Sequence, residues 1–214
     1  MTLLEPVAQR AQRRLWLVRH GESTWNVLGL AQGHTDVPAL TERGVEQARR
    51  CARVLTGKPV ATIVSSDLQR AVQTALPISQ SLHRPVTYDR RLRERCLGSA
   101  EGVPHALVSP DHLGIERGRV VDADAAPAGG ETVRQFYARL TAGLDELLSD
   151  HPDGDLVVVC HGGAVRVVLA WLDGVGPDEM AWPHVHNGMV VERAAPSPVL
   201  VTSYLRHLTL GGKQ

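Results

Sequence analysis

The sequence predicts an α/β fold, a three-layer α/β/α sandwich with a mainly parallel central sheet and a small inserted cap. Three observations lead there. Short apolar runs of strand length alternate with longer stretches of helical period, the pattern of a sheet covered on both faces. Two of those runs, Leu15-Trp16-Leu17-Val18 and Leu156 to Cys160, stop abruptly at Arg19-His20-Gly21 and His161-Gly162-Gly163. Between residues 103 and 130 the alternation gives way to a weakly periodic stretch rich in Pro, Gly, Asp and His, as expected of a lid or cap.

Each element has a local cause. Leu15 to Val18 reads as a buried strand ending in a functional loop. Thr41 opens a helix to about Leu55, with Val45, Ala48, Ala52 and Leu55 on one face, and Gly57 and Pro59 end it. Val60 to Val64 is a second strand. Asp67 is placed to cap a helix running to about Leu82, in which Pro77 predicts a kink or break. Val86-Thr87-Tyr88 is a third strand. Residues 132–149 carry Val133, Phe136, Leu140, Leu144, Leu147 and Leu148 at helical spacing. Leu156 to Cys160 is a buried strand leading into another helix, and residues 189–194 and 199–205 read as late strands at a sheet edge. The expected organisation is a flexible leader over 1–14 and a single α/β domain over 15–214, with the cap inserted at about 95–130.

Composition narrows the function classes. Acidic and basic residues balance at 23 each, without the basic surplus of a nucleic-acid binder. No apolar run approaches the roughly 20 residues that span a bilayer, so no membrane partner is expected. Cys51, Cys96 and Cys160 are odd in number, widely spaced and without a CxxC pair, which suits reduced thiols in a cytoplasmic protein better than a disulfide framework or a zinc site. His184 and His186 form an HxH pair with no further ligand cluster, so rim histidines are expected and no metal site.

A phosphoryl-transfer site that works without a metal needs a nucleophile, cationic donors around three phosphoryl oxygens, and an acid for the leaving alkoxide. Neutral imidazole can attack phosphorus, arginine matches phosphate oxygens with a planar fork, and a carboxylic acid can serve first as acid and then as base. Arg19-His20-Gly21-Glu22-Ser23-Thr24-Trp25-Asn26 follows the first strand and Ser65-Ser66-Asp67-Leu68-Gln69-Arg70-Ala71 the second. Leu92-Arg93-Glu94 and Cys160-His161-Gly162-Gly163 complete the set. A histidine after a strand is by default a hydrogen-bonded structural residue; four such blocks in order at strand ends and helix starts are a far stronger signal.

With these blocks the chain resembles the histidine phosphatase superfamily, the phosphoglycerate-mutase-like proteins, from about Leu15 to Arg166. Gln32-Gly33, Leu40 to Gly44 and Gly129 to Thr132 support the likeness. The resemblance implies His20 as the phosphorylated nucleophile, with Arg19, Arg70 and His161 binding the phosphoryl oxygens and Asn26 assisting. It implies Glu94 as proton donor and later base, chosen over the nearby carboxylates Glu22, Glu101 and Asp67. Gln32 and Gly33 fall where related phosphatases line the substrate entrance, and Gly162 at a helix start could offer its N–H to the anion.

The expected function is metal-independent hydrolysis of phosphate monoesters through a phosphohistidine on His20, with no cofactor. In that scheme a protonated His161 helps Arg19 and Arg70 offset charge, and the substrate is a small phosphorylated metabolite. The chain departs from the family pattern at Ala100 and His34, where tryptophan is common. One alternative is a phosphoglycerate-type mutase. Arg95 matches an arginine beside the acid in mutases, but Leu97 stands in place of their tyrosine. Another is a non-catalytic phosphoprotein-binding module, which loss of His20 or Glu94 would have signalled. Arg117 and Arg119 in the insert could meet an acidic substrate, and the late strands could form a homodimer edge.

Overall fold

The computed structural model describes residues 13–196. In chain order its elements are β1 (Arg14–Arg19), α1 (Thr24–Val27), α2 (Glu42–Leu55), β2 (Val60–Ser65), α3 (Gln69–Leu82) and β3 (Val86–Tyr88), then α4 (Pro110–Leu113), β4 (Ile115–Glu116) and β5 (Arg119–Val120) in the insert, and finally α5 (Val133–Asp150), β6 (Asp155–Cys160), α6 (Gly162–Leu172) and β7 (Val190–Ala194). The main sheet has the order β3-β2-β6-β1-β7, parallel except for β7, which runs antiparallel to β1. The expected strand over 199–205 and residues 1–12 of the expected leader lie outside the described residues.

Alternation along the two central strands divides the core. Leu15 and Leu17 of β1 and Leu156, Val158 and Cys160 of β6 face α5 and α6, packing with Phe136, Leu140, Leu144, Val165 and Val168. Trp16, Val18, Val157 and Val159 face the other way, onto Cys51, Ala52 and Leu55 of α2 and Ala71, Ala75 and Ile78 of α3. These strands are apolar at every position because both faces are covered, which is why they read as continuous runs rather than alternating ones. Thr41 caps α2 by accepting from the Gly44 N–H at 3.0 Å, and Thr132 caps α5 in a reciprocal pair with Gln135.

Three local expectations are corrected. Arg14 belongs to β1 rather than to a leader, its N–H donating to Asp155 Oδ1 at 2.9 Å while Trp16 Nε1 donates to Oδ2 of the same carboxylate. Asp67 does not cap α3. Leu68 is the capping position, with no side-chain bond, and Asp67 is held instead by a two-pronged pair with Arg93 at 2.7 and 2.6 Å. Nor does Pro77 break α3, which runs unbroken across it. Proline removes one helical N–H, but Arg70, Ala71, Thr74, Ala75 and Ile78 are buried along the helix, and that tertiary packing outweighs one lost bond.

The insert has little regular structure. It contains short 3-10 turns at Gly98–Ala100 and His105–Leu107, the single turn of α4, and the two-residue hairpin strands β4 and β5. A small apolar cluster of Ala31, Leu97 and Ala100 sits beneath it. Arg95, only 3% exposed, holds it together by donating to the carbonyls of Glu131, Leu113 and Ala125 at 2.6–2.7 Å. Ala100, where a tryptophan is common, fills a buried place in that cluster.

Candidate active site

The pocket lies at the carboxyl ends of β1, β6 and β2, where a parallel sheet presents its loops. His20 follows β1, is 3% exposed, and is anchored by its N–H to the Cys160 carbonyl at 2.9 Å. Its Nδ1 lies 2.7 Å from the Gly21 carbonyl. A carbonyl only accepts, so Nδ1 carries the proton and Nε2 is left with its lone pair. Burial first, then the charges of Arg70 and Arg19, hold the His20 pKa well below its ordinary value, so the ring is neutral at neutral pH.

Two glycines let the backbone close around this histidine. A Cβ on Gly21 would meet the Gly44 carbonyl oxygen at 2.3 Å, and one on Gly44 would meet the Glu22 carbonyl oxygen at 2.0 Å, so the loop and α2 touch through bare backbone. Gly21 N–H also donates to Thr74 Oγ1 at 3.0 Å.

His161, fully buried after β6, stands edge-on to His20 with ring centroids 5.2 Å apart. Its Nε2 is 2.8 Å from Ser66 Oγ, and its Nδ1 has no partner. Ser66 can donate its hydroxyl proton to Nε2, which places the ring proton on Nδ1 as an open donor. Burial first, then Arg70, His20 and Arg19, keep the His161 pKa well below the usual imidazole value. The expected protonated His161 is therefore corrected: the ring is neutral at neutral pH and acts as an N–H donor, not as a cation.

The two arginines are similarly poised. Arg70, 1% exposed, donates from Nη1 to the Thr35 carbonyl and from Nη2 to the Gly33 carbonyl, both at 2.8 Å, and its buried Nε has no partner. Arg19 donates from Nη1 to the Val185 carbonyl and likewise has an unpartnered buried Nε. Desolvation, the largest influence on each, brings both guanidiniums down to about 10, so both remain charged at neutral pH. Apart from Arg13 at the opposite end of β1, Arg19 Nε, Arg70 Nε and His161 Nδ1 are the only unpartnered buried side-chain polar atoms among the described residues. Buried donors are nearly always satisfied, so three open ones around one histidine imply an anion as their missing partner.

Glu94 reaches the same pocket. Its Oε2 accepts from the Gly163 N–H at 2.9 Å and its Oε1 from the Arg95 N–H at 3.0 Å, and its charge acts on Arg19, Arg70 and Arg166. A Cβ on Gly163 would fall 2.2 Å from Glu94 Oε1, so the second glycine of the HGG motif makes room for the carboxylate. The rival carboxylates are held elsewhere. Glu22 is bound by Thr41 and Arg43, Glu101 by Thr35 and the His34 and Leu97 N–H groups, and Asp67 by Arg93.

The remaining expected residues support the frame. Asn26 accepts at Oδ1 from the N–H and hydroxyl of Ser23 and from Asn187 Nδ2, each at 3.0 Å. Gln32 and Gly33, expected at the entrance, are tied inward: Gln32 Oε1 lies 3.0 Å from Ser23 Oγ, and Gly33 supplies a carbonyl to Arg70. Gly162 opens α6 beside the Arg19 guanidinium. His184 and His186, both exposed, form a ring pair 4.4 Å apart, and His184 lies within electrostatic reach of Arg19. Among the described residues no group of three or more His, Cys, Asp or Glu side chains could hold a metal ion.

Sequence reasoning missed several supports. Arg139 donates to the carbonyls of Arg91 and Glu94 while paired with Glu131, and His34 Nε2 lies 2.8 Å from the same Glu94 carbonyl, so both fix the backbone that carries Glu94. Asn187 braces the His20 loop from a segment without a motif. Arg139 had one usable signal, its spacing of eight from Glu131 across the start of α5; Asn187 had none. Arg117, at the β4–β5 turn with φ of 47°, has an 89% exposed side chain paired with Glu116.

Comparison with known proteins agrees with this geometry. The family model described as "Histidine phosphatase superfamily (branch 1)" matches residues 15–194. Glucosyl-3-phosphoglycerate phosphatase of Mycobacterium tuberculosis is 38% identical over 168 residues, covering 75% of each chain. Phosphoglycerate mutase-like protein 4 of Arabidopsis thaliana is 37% identical over 155 residues, covering 70% of this chain and 66% of that protein. The solved structure of the mycobacterial glucosyl-3-phosphoglycerate phosphatase in complex with VO3 superposes with a TM-score of 0.73 at 33% identity, covering 84% of this chain and 90% of that one.

Proposed function

The chain belongs to the histidine phosphatase superfamily, and on that premise we propose that it is a phosphomonoester hydrolase working through a phosphohistidine on His20, without a metal. The observation that carries this reading is the trio of unpartnered buried donors, Arg19 Nε, Arg70 Nε and His161 Nδ1, around a histidine whose Nε2 is free. Three donors suit the three non-bridging oxygens of a phosphoryl group, and Nε2 suits in-line attack on its phosphorus.

In the first step the Nε2 lone pair of His20 forms a bond to phosphorus while the ester P–O bond breaks, and Glu94 gives its proton to the departing alkoxide. In the second, Glu94 takes a proton from water, the oxygen attacks phosphorus, and the N–P bond breaks to release phosphate and restore neutral His20. Arg19 and Arg70 offset the equatorial charge throughout. Their guanidiniums are already fixed by carbonyls, so little reorganisation is needed at the moment of transfer. In this reading His161 contributes a neutral N–H, while Asn26, through its bonds to Ser23 and Asn187, helps to hold the nucleophile loop.

The substrate is a small phosphorylated metabolite; the mycobacterial relative is named for glucosyl-3-phosphoglycerate. Arg95, the residue shared with mutases, is buried and bonded to three carbonyls, so it is not available to hold a phosphoglycerate, and hydrolysis is the better reading. All three cysteines are free, which suits the cytoplasm, and no helix among the described residues is long and apolar enough to cross a membrane.

Phosphate release from a panel of small monoesters, in chelator, tests the proposal. Wild type should turn over and His20→Ala should lose at least about 10⁴-fold of the rate with its fold intact. Release by His20→Ala, or release abolished by chelator, would refute the phosphohistidine route.

A further inference from the structure

Beside the phosphoryl pocket stands a second cation that the hydrolysis scheme does not use. Arg166, on the first turns of α6, is half-buried, and the only hydrogen bond of its side chain among the described residues runs from Nε to the Pro183 carbonyl at 2.6 Å. Its guanidinium lies over the Trp182 ring, 5.0 Å from the centroid. This stacking and the Nε bond fix the plane of the group and leave both Nη nitrogens free to donate. A Cβ on Gly162 would lie 3.2 Å from Arg166 Nη1 and 3.3 Å from Arg19 Nε, so the two guanidiniums flank one backbone position. The segment Trp182–His186 grips both: Pro183 accepts from Arg166, Val185 accepts from Arg19, and between them the exposed His184 lies within electrostatic reach of both arginines. Glu94 is the one carboxylate acting on Arg166 and is already bonded to two backbone N–H groups.

We propose that Arg166, aided by His184, forms a carboxylate subsite next to the phosphoryl pocket, so that this phosphatase selects phosphorylated carboxylic acids whose two anionic groups are separated by a few carbons. The inference rests on the phosphatase reading above. A fixed guanidinium with two free Nη donors matches the two oxygens of a planar carboxylate. A tetrahedral phosphate dianion would call for the larger set of donors found around His20. The closeness of Arg166 to Arg19 sets the short separation, and the exposed His184 gives the subsite an opening to solvent through which the rest of the substrate can extend.

The test is the ratio of kcat/KM for 3-phosphoglycerate to that for p-nitrophenyl phosphate, which lacks a carboxylate. Arg166→Gln should lower that ratio by about 10-fold or more, chiefly through KM for 3-phosphoglycerate. Arg166→Lys, which keeps the charge but not the fork, should lower it less, and His184→Ala by about 2-fold. A ratio unchanged in Arg166→Gln overturns the proposal. Should Arg166→Gln fail to fold for want of the Pro183 anchor, an unchanged ratio in both Arg166→Lys and His184→Ala overturns it instead. Failure of the hydrolysis reading is distinct, because wild type would then release phosphate from neither ester.

Discussion

Arg70 in the pocket and Arg95 in the insert are both almost wholly buried, yet the structure treats them in opposite ways. Arg95 places Nε, Nη1 and Nη2 on three carbonyls drawn from residues 113, 125 and 131, and so pins a poorly structured segment to the domain. Arg70 places two nitrogens on carbonyls of one loop, leaves Nε without a partner, and lies close enough to His20 to act on its charge. A buried guanidinium costs much to desolvate, and on the proposed reading the two regions recover that cost differently: the insert from the chain itself, the pocket in part from a bound anion. Burial and charge alone do not separate a binding arginine from a structural one; the donor left open does.

The sharpest way to break this contrast is to truncate each arginine. Arg70→Ala should lower kcat by about 10²–10³-fold, as expected for loss of a preorganised anion clamp. Arg95→Ala should do the reverse, lowering stability by about 3 kcal/mol, since three buried carbonyls lose their donor, while the folded fraction stays active within about 10-fold. Steady-state kinetics and thermal melts on the same preparations check both. A kinetic effect of Arg95→Ala as large as that of Arg70→Ala would erase the distinction.

Gly163→Ala sharpens it from the side of the acid. The added methyl would meet Glu94 Oε1 at 2.2 Å, so the carboxylate must move and kcat should fall by about 10²-fold with little change in KM. Wild-type kinetics from this variant would place the acid elsewhere.

The pH dependence of stability gives the most gradual effect, spread over pH units instead of set by one substitution. His20 and His161 are held neutral chiefly by burial, then by nearby cations, with folded pKa values well below the ordinary histidine range. As pH falls below about 6.5 the unfolded chain binds protons that the folded chain refuses, so stability declines toward the folded pKa values and is unaffected by these groups above 6.5. The slope should reach at most about 1.4 kcal/mol per pH unit for each histidine, and a His20→Asn/His161→Asn double variant should flatten it between pH 6.5 and 5. An equal slope in that variant would assign the effect to other groups.

How legible this was from the sequence varied with the kind of interaction. RHG and HGG could be read because each sits where an apolar run stops, and the fold places both at neighbouring strand ends. The caps at Thr41 and Thr132 could be read because capping is local. Asp67 misled because its side chain answers to Arg93, 26 residues away, rather than to the helix beside it. Of the kink or break expected at Pro77 the break does not occur, because burial on the α2-facing side of the sheet outweighs a local penalty. Asn187, Arg139 and Arg166 went without assigned roles because a key partner of each is a backbone carbonyl, which any residue supplies and no motif records.

The central claim is covalent transfer to His20, and rapid acid-free quenching with phosphorus-labelled substrate tests it most directly. The account predicts one acid-labile, alkali-stable phosphoryl group on the peptide carrying His20 and none in His20→Ala; with p-nitrophenyl phosphate, whose leaving group needs no acid, Glu94→Gln should hold more of it, because hydrolysis lacks its base. Turnover with no label on His20, or with label on a serine or cysteine, would contradict it.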